Sequence, residues 1–468
     1  MSSPDRSKLL AEYSGVRLGD ARLEERLVRI LPLLAARPGD SFPEQMETDA
    51  DQEALYRFLK NPKVTIDALL EGHRNQTVDR IRDRPIVRIV HDTSDFVFSG
   101  ERDGLDTFQG GVKGFSGHFA LAVAGDEGRE ALGILGLYPF LLKNDKKGLT
   151  ENEKSRRQYN TPRKDKKSSR WETQAIETNR FVPSGSSAIH VMDQEADDYS
   201  VFSALCAASL RFIIRGEPRR VTAEKVMSRE LLAAQPATLF REVEISSRSK
   251  VQATKQHPQR KTRIAQLSVR ASVVTLNKTV SAREAEFDSV SLGAVHVFEA
   301  SPPAGETPIE WMLFTSEPVE TLAQVEAVVD HYRARWVIEE YFKALKTGCA
   351  FQKRQLCSYE GLVRALTLFV PMAWTLLALR SLGRETTLRP ATEVFSNDQL
   401  RLLRAILEKR RRTLPDKPTV RDAMLGIAAL GGHIKNNGDP GWQVLGRGMR
   451  RFSEFEEGWD LHSRSDQS

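Results

Sequence analysis

The chain has 468 residues, with 69 Lys+Arg against 63 Asp+Glu, a formal charge of +6 and a pI of about 9.1. That length allows two to four domains and a sizeable core. Its three cysteines (Cys206, Cys349 and Cys357) have no CxxC or Cys/His spacing, which excludes a disulfide framework and a thiolate metal centre, and it carries no Walker A motif, dinucleotide fingerprint or internal repeat.

The basic excess is unevenly spread. From Ile245 to Arg283 there is no acidic residue, while Arg248, Lys250, Lys255, Arg260, Lys261, Arg263, Arg270, Lys278 and Arg283 are basic. Lys143 to Arg170 is a second charge-rich stretch. Solvated loops account for most such runs, and a polyanionic partner accounts well for two of them in one chain. No apolar run reaches about 18 residues, and "MSSPDRSKLLAEYSG" has no apolar leader core. A soluble cytoplasmic protein without a membrane partner is therefore expected.

Residues 1–68 read as helices. "GDARLEERLVRILPLLAARPG" has an Asp near its start, helical periodicity and a Pro-Gly stop, and "DADQEALYRFLKNP" ends at Asn61-Pro62. This small basic-edged region suits a DNA-binding module, and a plain helical bundle fits the pattern equally. The texture then changes to strands. "RPIVRIVHDTSDFVF" runs into Asp92, "HFALAVAGDEG" comes second, and "EALGILGLYPFLL" is a third. A helix near 171–182 comes next, then the strand "SAIHVMD" delivering Asp193, the helix "DDYSVFSALCAA" and the strand "LRFIIRG". Three strands, helix, strand, helix, strand is the order of an α/β ribonuclease-H-like fold. A strand ending in a carboxylate places it at the carboxyl edge of the sheet, where sites of open α/β sheets gather.

Within this catalytic region of 69–364, residues at about 218–310 alternate like antiparallel strands ("TLFREVEI", "TRIAQLSVRASVVTL", "SVSLGAVHVFEA") and read as a β-rich insertion. The remaining 365–468 are expected to be a helical C-terminal domain, and its apolar run "LVRALTLFVPMAWTLLALRSL" reads as core.

The stretch "YRARWVIEEYFKALK" lies just beyond the insertion. On one continuous helix Tyr332, Arg335, Glu339 and Lys346 fall at roughly 0°, 300°, 340° and 320°, a single polar edge. Val337, Ile338, Tyr341, Phe342, Ala344 and Leu345 form a separate core-facing stripe. Asp92 and Asp193 on strands and Glu339 on this helix make a possible carboxylate triad. Hard oxygen ligands of this kind hold paired divalent cations that clamp the attacking and leaving oxygens of in-line phosphoryl transfer.

These residues carry a family resemblance. "YRARWVIEEYFKALKTG" resembles the Y-(2)-R-(3)-E-(6)-K signature of bacterial DDE transposases of the insertion-sequence-four type, and "EWMLFTSEPVETLAQ" is similar to the segment before it. "HDTSDF" and "VMDQEADDY" resemble the two Asp segments, "RLGDARLEERL" with "QEALYRFLKNP" the end-binding domain, and "AMLGIAALGGHIKNNGDPGWQVLGRGMRRF" the dimerisation region. The resemblance implies that Asp92, Asp193 and Glu339 are catalytic ligands of Mg²⁺, with Mn²⁺ able to substitute. It implies that Tyr332, Arg335 and Lys346 contact the DNA backbone and that Trp311 stacks on a flipped base. Trp336 and Arg215 join the DNA-binding set. Gln194 departs from the Arg that close relatives often carry there. The implied partners are double-stranded transposon ends, target DNA and a second protomer, in a nucleoid-associated bacterial enzyme working through a hairpin. A metal-dependent nuclease that does not join, and a decayed DNA-binding regulator, are the alternatives.

Overall fold

The computed structural model describes residues 6–465 apart from 101, 127, 142–149, 246–258, 260, 386–387 and 435–437. Of the basic stretches read above, Lys143, Arg248, Lys250, Lys255 and Arg260 lie outside the described residues.

Five helices open the chain: α1 (Arg6–Ala11), α2 (Ala21–Ala36), α3 (Phe42–Gln45), α4 (Asp49–Lys60) and α5 (Ile66–Ile81). The Asp20 carboxylate starts α2 by accepting the Arg22 N–H at 3.1 Å. Leu23, Leu27, Ile30, Leu31 and Leu34 then form its buried stripe. α4 stops before Asn61-Pro62, because the residue before a proline is pushed out of the helical region. Helix α5 is not expected from the sequence pattern; its buried stripe includes the polar residues His73 and Thr77. His73 Nε2 accepts the Ile134 N–H at 2.9 Å, so Nδ1 bears the proton donated to Glu12 at 2.5 Å. Arg80 also binds Glu12, at 2.7 and 3.1 Å. This buried cluster fastens the first helix to the sheet.

Among the described residues ten strands form one sheet. They are β1 (Ile86–Phe98), β2 (Asp106–Thr107), β3 (Lys113–Ala124), β4 (Ala131–Phe140), β5 (Ser187–Met192), β6 (Arg211–Gly216), β7 (Leu239–Ile245), β8 (Arg263–Asn277), β9 (Ser289–Glu299) and β10 (Glu310–Thr315). The order is β4-β3-β1-β5-β6-β10-β9-β8-β7, with β2 also on β3. Strands β1, β5 and β6 are parallel and all other pairs are antiparallel. The part β4-β3-β1-β5-β6 has the ribonuclease-H-like order expected from the chain. The β-rich segment does not stack as a separate sheet. Its last strand, β9, pairs with β10 just beyond the segment, and β10 pairs with β6, so the segment prolongs the sheet and the edge that β6 would expose is covered.

The remaining helices are α6 (Glu151–Asn160), α7 (Ser169–Asn179), α8 (Tyr199–Ala207), α9 (Ser228–Ala233), α10 (Leu322–Arg333), α11 (Trp336–Lys343), α12 (Tyr359–Leu382), α13 (Asn397–Lys409), α14 (Val420–Leu430) and α15 (Trp442–Ser465). Strand β1 is buried on both faces. Val87 and Ile89 pack with Ile81 of α5, whereas Val90 and Phe96 share a core with Ile338 and Tyr341 of α11 and with α12. Helix α12 is long and apolar enough to cross a membrane by composition, yet 78% of its apolar window is buried inside the protein. It packs against α4, α5, β4 and α14 as a central core helix. Position 364, the expected end of the catalytic region, lies inside it, and Arg364 donates to the carbonyls of Leu59 in α4 and of Val64 in the connection to α5.

Candidate active site

The site begins with strand register. Val90 of β1 pairs with Val191 of β5 in parallel, which brings Asp92 and Asp193, two residues further along each chain, abreast at the carboxyl end of β5. Asp92 Oδ1 accepts the Thr93 N–H at 2.8 Å, and Asp193 Oδ1 accepts the Glu195 N–H at 2.9 Å, capping a short 3-10 turn over Gln194–Ala196. Burial raises the pKa of both carboxyls. Asp92 is pushed up to about 7, by burial first and then by the charge of Asp193, against the pull of Arg335.

The stretch 332–346 is not one regular helix. α10 ends at Arg333, and the bonds Ala334 N to His331 O (3.2 Å), Arg335 N to Tyr332 O (3.0 Å), Val337 N to Ala334 O (3.0 Å) and Ile338 N to Arg335 O (3.2 Å) close a tight i→i−3 joint. α11 comes next and widens into a π turn at Ala344–Gly348. The residues expected on one edge of a regular helix are therefore carried by successive elements, α10, α11 and the π turn. Tyr332, at the end of α10, is buried at 3% exposure, meets Trp311 edge-on at 5.8 Å between ring centres, and keeps its hydroxyl in hydrogen-bonding contact with Arg335. Arg335 caps α11, Glu339 lies in its first turn, and Lys346 sits on the π turn. The Lys346 ammonium lies 5.3 Å from the Phe96 ring centre; burial lowers its pKa, opposed by the charges of Asp95 and Asp92.

Arg335 joins the elements. Its Nη1 donates to Asp92 Oδ2 at 2.9 Å and its Nη2 to Glu339 Oε1 at 2.6 Å. The guanidinium also lies 5.1 Å from the ring centre of Trp336, which is 51% exposed. The neighbouring Glu340 turns away. It accepts from Lys343 and from Trp442 Nε1 at 2.6 and 3.0 Å, and from Arg380. Arg215 of β6 pairs in register with Leu313 of β10, near Trp311, and its charge acts on both Tyr332 and Asp193. Trp311 is half-buried against the core. The structure thus gathers Asp92, Asp193, Glu339, Arg335, Lys346, Tyr332, Trp311 and Arg215 around one sheet end, with Trp336 at its rim.

Two features escape a reading of the sequence. Arg170 of α7 donates to Glu195 and, at 3.3 Å, to Thr93 Oγ1, which sets a further cation beside Asp193. Behind the site, His118, His91 and His190 are fully buried on β3, β1 and β5. They form a chain of contacts at 3.3 and 2.9 Å that ends at Thr93 Oγ1 (3.1 Å) and Asn179 Oδ1 (3.3 Å). Burial lowers all three histidine pKa values, that of His190 to about 3. Only strand register brings these three residues together.

The donors are hard carboxylate oxygens of the kind that magnesium takes. Among the described residues, no group of three or more His, Cys, Asp or Glu side chains stands close enough together to hold a metal ion. Arg335 supplies positive charge between two of the three carboxylates. The buried carboxyls of Asp92 and Asp193, with raised pKa values, and the half-buried carboxylate of Glu339 are donors that suit a divalent cation once that guanidinium moves.

Comparison with known families matches residues 6–64 to "Transposase DNA-binding" and residues 136–375 to "Transposase DDE domain". The second match contains Asp193 and Glu339 and begins beyond Asp92, which the strand register supplies. Among solved structures, the chain is similar to the "piggyBac transposase synaptic complex with hairpin DNA", with 9% identity and a TM-score of 0.35. That likeness covers 78% of this chain and 66% of the other, slightly under two thirds of its length.

Proposed function

The chain belongs to the DDE-domain transposases, with a transposase DNA-binding domain at its start, and from that premise we propose that it is a cut-and-paste transposase of the insertion-sequence-four type. Its substrate in this reading is double-stranded DNA, first the inverted-repeat ends of its element and then a target. Residues 1–68 hold an end, 69–364 carry the chemistry, and 365–468 bring two protomers together. The observation that carries the reading is the placement of Asp92 and Asp193 abreast, with Arg335 linking Asp92 to Glu339 on α11.

Asp92, Asp193 and Glu339 would hold Mg²⁺, or Mn²⁺ in its place; bound there, divalent cations stabilise charge on the attacking and leaving oxygens of phosphoryl transfer. The chain's own residues position the DNA. Lys346, Arg335 and Arg215 bring three cationic groups to the mouth of the carboxylate cluster, matching the phosphates on either side of a scissile bond. Tyr332 presents a phenol from the same wall, and Trp311 beside it offers an indole face to a base leaving the stack. Trp336 adds an exposed aromatic surface next to Arg335. In the proposed sequence, water breaks the bond between element and flank and leaves a 3′-hydroxyl. That hydroxyl attacks the opposite strand to close a hairpin, a second water opens it, and the 3′ ends then join target DNA.

The test is to incubate the purified protein with Mg²⁺ or Mn²⁺ and DNA carrying its own element's ends. Cut, hairpinned and joined products are expected. Cutting without joining would instead support a metal-dependent nuclease, and end binding without cutting a decayed DNA-binding regulator.

A further inference from the structure

We propose that Arg335 is a resident counter-ion of the carboxylate cluster, so that the free protein resists divalent cations and takes them up together with DNA phosphate. This rests on the reading of the cluster as the metal site. Both arms of the guanidinium are committed to the residues that would ligate metal, at 2.9 Å to Asp92 Oδ2 and 2.6 Å to Glu339 Oε1. The Arg335 side chain is 11% exposed and the Asp92 side chain 13% exposed, so solvent screens the contact weakly. A magnesium or manganese ion needs the same lone pairs at about 2.0–2.2 Å. A guanidinium nitrogen already in place takes up one lone pair on each of these oxygens, and two cations on the same carboxylates repel. Entry of the metal is therefore opposed as long as Arg335 stays, and is eased when it leaves.

The departure has a route and a destination. Arg335 lies at the N-terminal end of α11, and its guanidinium already rests against the exposed Trp336 ring at the rim, where cation–π contact and solvent can receive it. A planar fork that grips two carboxylates also grips two phosphate oxygens, and DNA brings phosphates to this rim. Of the neighbouring cations, Arg170 is held by Glu195 and Thr93, and Lys346 lies over Phe96 within reach of the charges of Asp95 and Asp92. Neither bridges Asp92 to Glu339. Coupling of this kind is reciprocal, so DNA tightens metal binding by the factor by which metal tightens DNA binding.

The test measures Mn²⁺ binding to the full chain, from the free-ion resonance signal, with and without a short DNA duplex. Without DNA, Arg335→Gln should bind Mn²⁺ about tenfold or more tightly than wild type. The duplex should tighten wild type by a similar factor and leave Arg335→Gln nearly unchanged. Arg335→Lys, which keeps the charge and loses the fork, should fall between them and guards against a folding defect in the first variant. Equal binding by wild type and Arg335→Gln, lost in Asp92→Asn, would overturn the counter-ion role and leave the metal site standing. Binding indifferent to Asp92→Asn in every background would overturn both.

Discussion

Trp442 donates its indole N–H to Glu340 Oε2 at 3.0 Å, tying α11 to α15 through the glutamate next to the catalytic candidate. Adjacent residues on a helix point about 100° apart, so one of the pair faces the sheet end while the other faces the C-terminal helices. Glu340→Gln should therefore lower stability, by about 1–2 kcal/mol, because Arg380 is left without its carboxylate in a half-buried setting. Cleavage by the protein that remains folded should be close to wild type. Thermal melting and a cleavage assay on the same preparation separate the two effects.

Trp311 meets Tyr332 edge-on and packs against the core, so its replacement has a structural cost as well as a chemical one. Trp311→Ala should destabilise by about 1–3 kcal/mol. If the indole also receives a flipped base, hairpin closure should slow by roughly ten- to a hundredfold while the first nick is nearly preserved. An abasic site at the flipped position should restore much of the lost rate. Nicking and hairpin closure falling in parallel would make Trp311 a packing residue alone.

The histidine chain predicts acid sensitivity. His91, His118 and His190 have folded-state pKa values below the ordinary 6.5, so between that value and the lowered ones the unfolded chain binds more protons than the native one. Their contribution is complete above pH 6.5 and is lost as pH falls, with a limiting slope of about 1.4 kcal/mol per pH unit for each histidine. Denaturant melts from pH 7 to pH 4 should show this loss. His190→Gln should lessen the slope by about one proton, and an unchanged slope would remove His190 from the chain.

Asp92 has the opposite sign. Its pKa rises to about 7 in the fold from an ordinary value of 3.8, so the native state binds the extra proton across that window and stability falls as pH rises through it. Asp92→Asn removes the cost of ionisation. It should be more stable than wild type at pH 8, on the order of 1–2 kcal/mol after the lost contact with Arg335 is deducted, and no more stable at pH 4. Melting curves at the two pH values decide this. Divalent cations binding through Asp92 should likewise weaken about tenfold per unit below pH 7.

Much of the sheet is legible in the chain because β1, β3, β4, β5 and β6 are dense apolar runs, and Asp193 ends one of them. α5 is not, because His73 and Thr77 interrupt its buried stripe and only their hydrogen bonds make burial tolerable. The joint at 334–338 and the π turn at Ala344–Gly348 leave no mark in composition, since Ala334 and Arg335 keep right-handed helical backbones and no breaker precedes Gly348. A regular helical wheel consequently puts Tyr332 on a polar edge, whereas the protein buries it. The types of charged group at the site can be read from "YRARWVIEEYFKALK"; the grip of Arg335 on Asp92, 243 residues away, depends on tertiary packing.

The most direct test of the catalytic assignment compares Asp92→Asn, Asp193→Asn and Glu339→Gln with wild type in single-turnover cleavage of the element's own ends, with end binding measured on the same proteins. Each variant should lose cleavage by about a thousandfold or more while binding DNA nearly as well as wild type, because affinity comes mainly from cationic contacts elsewhere. Cleavage at the wild-type rate by any one of the three would contradict the shared role of these carboxylates.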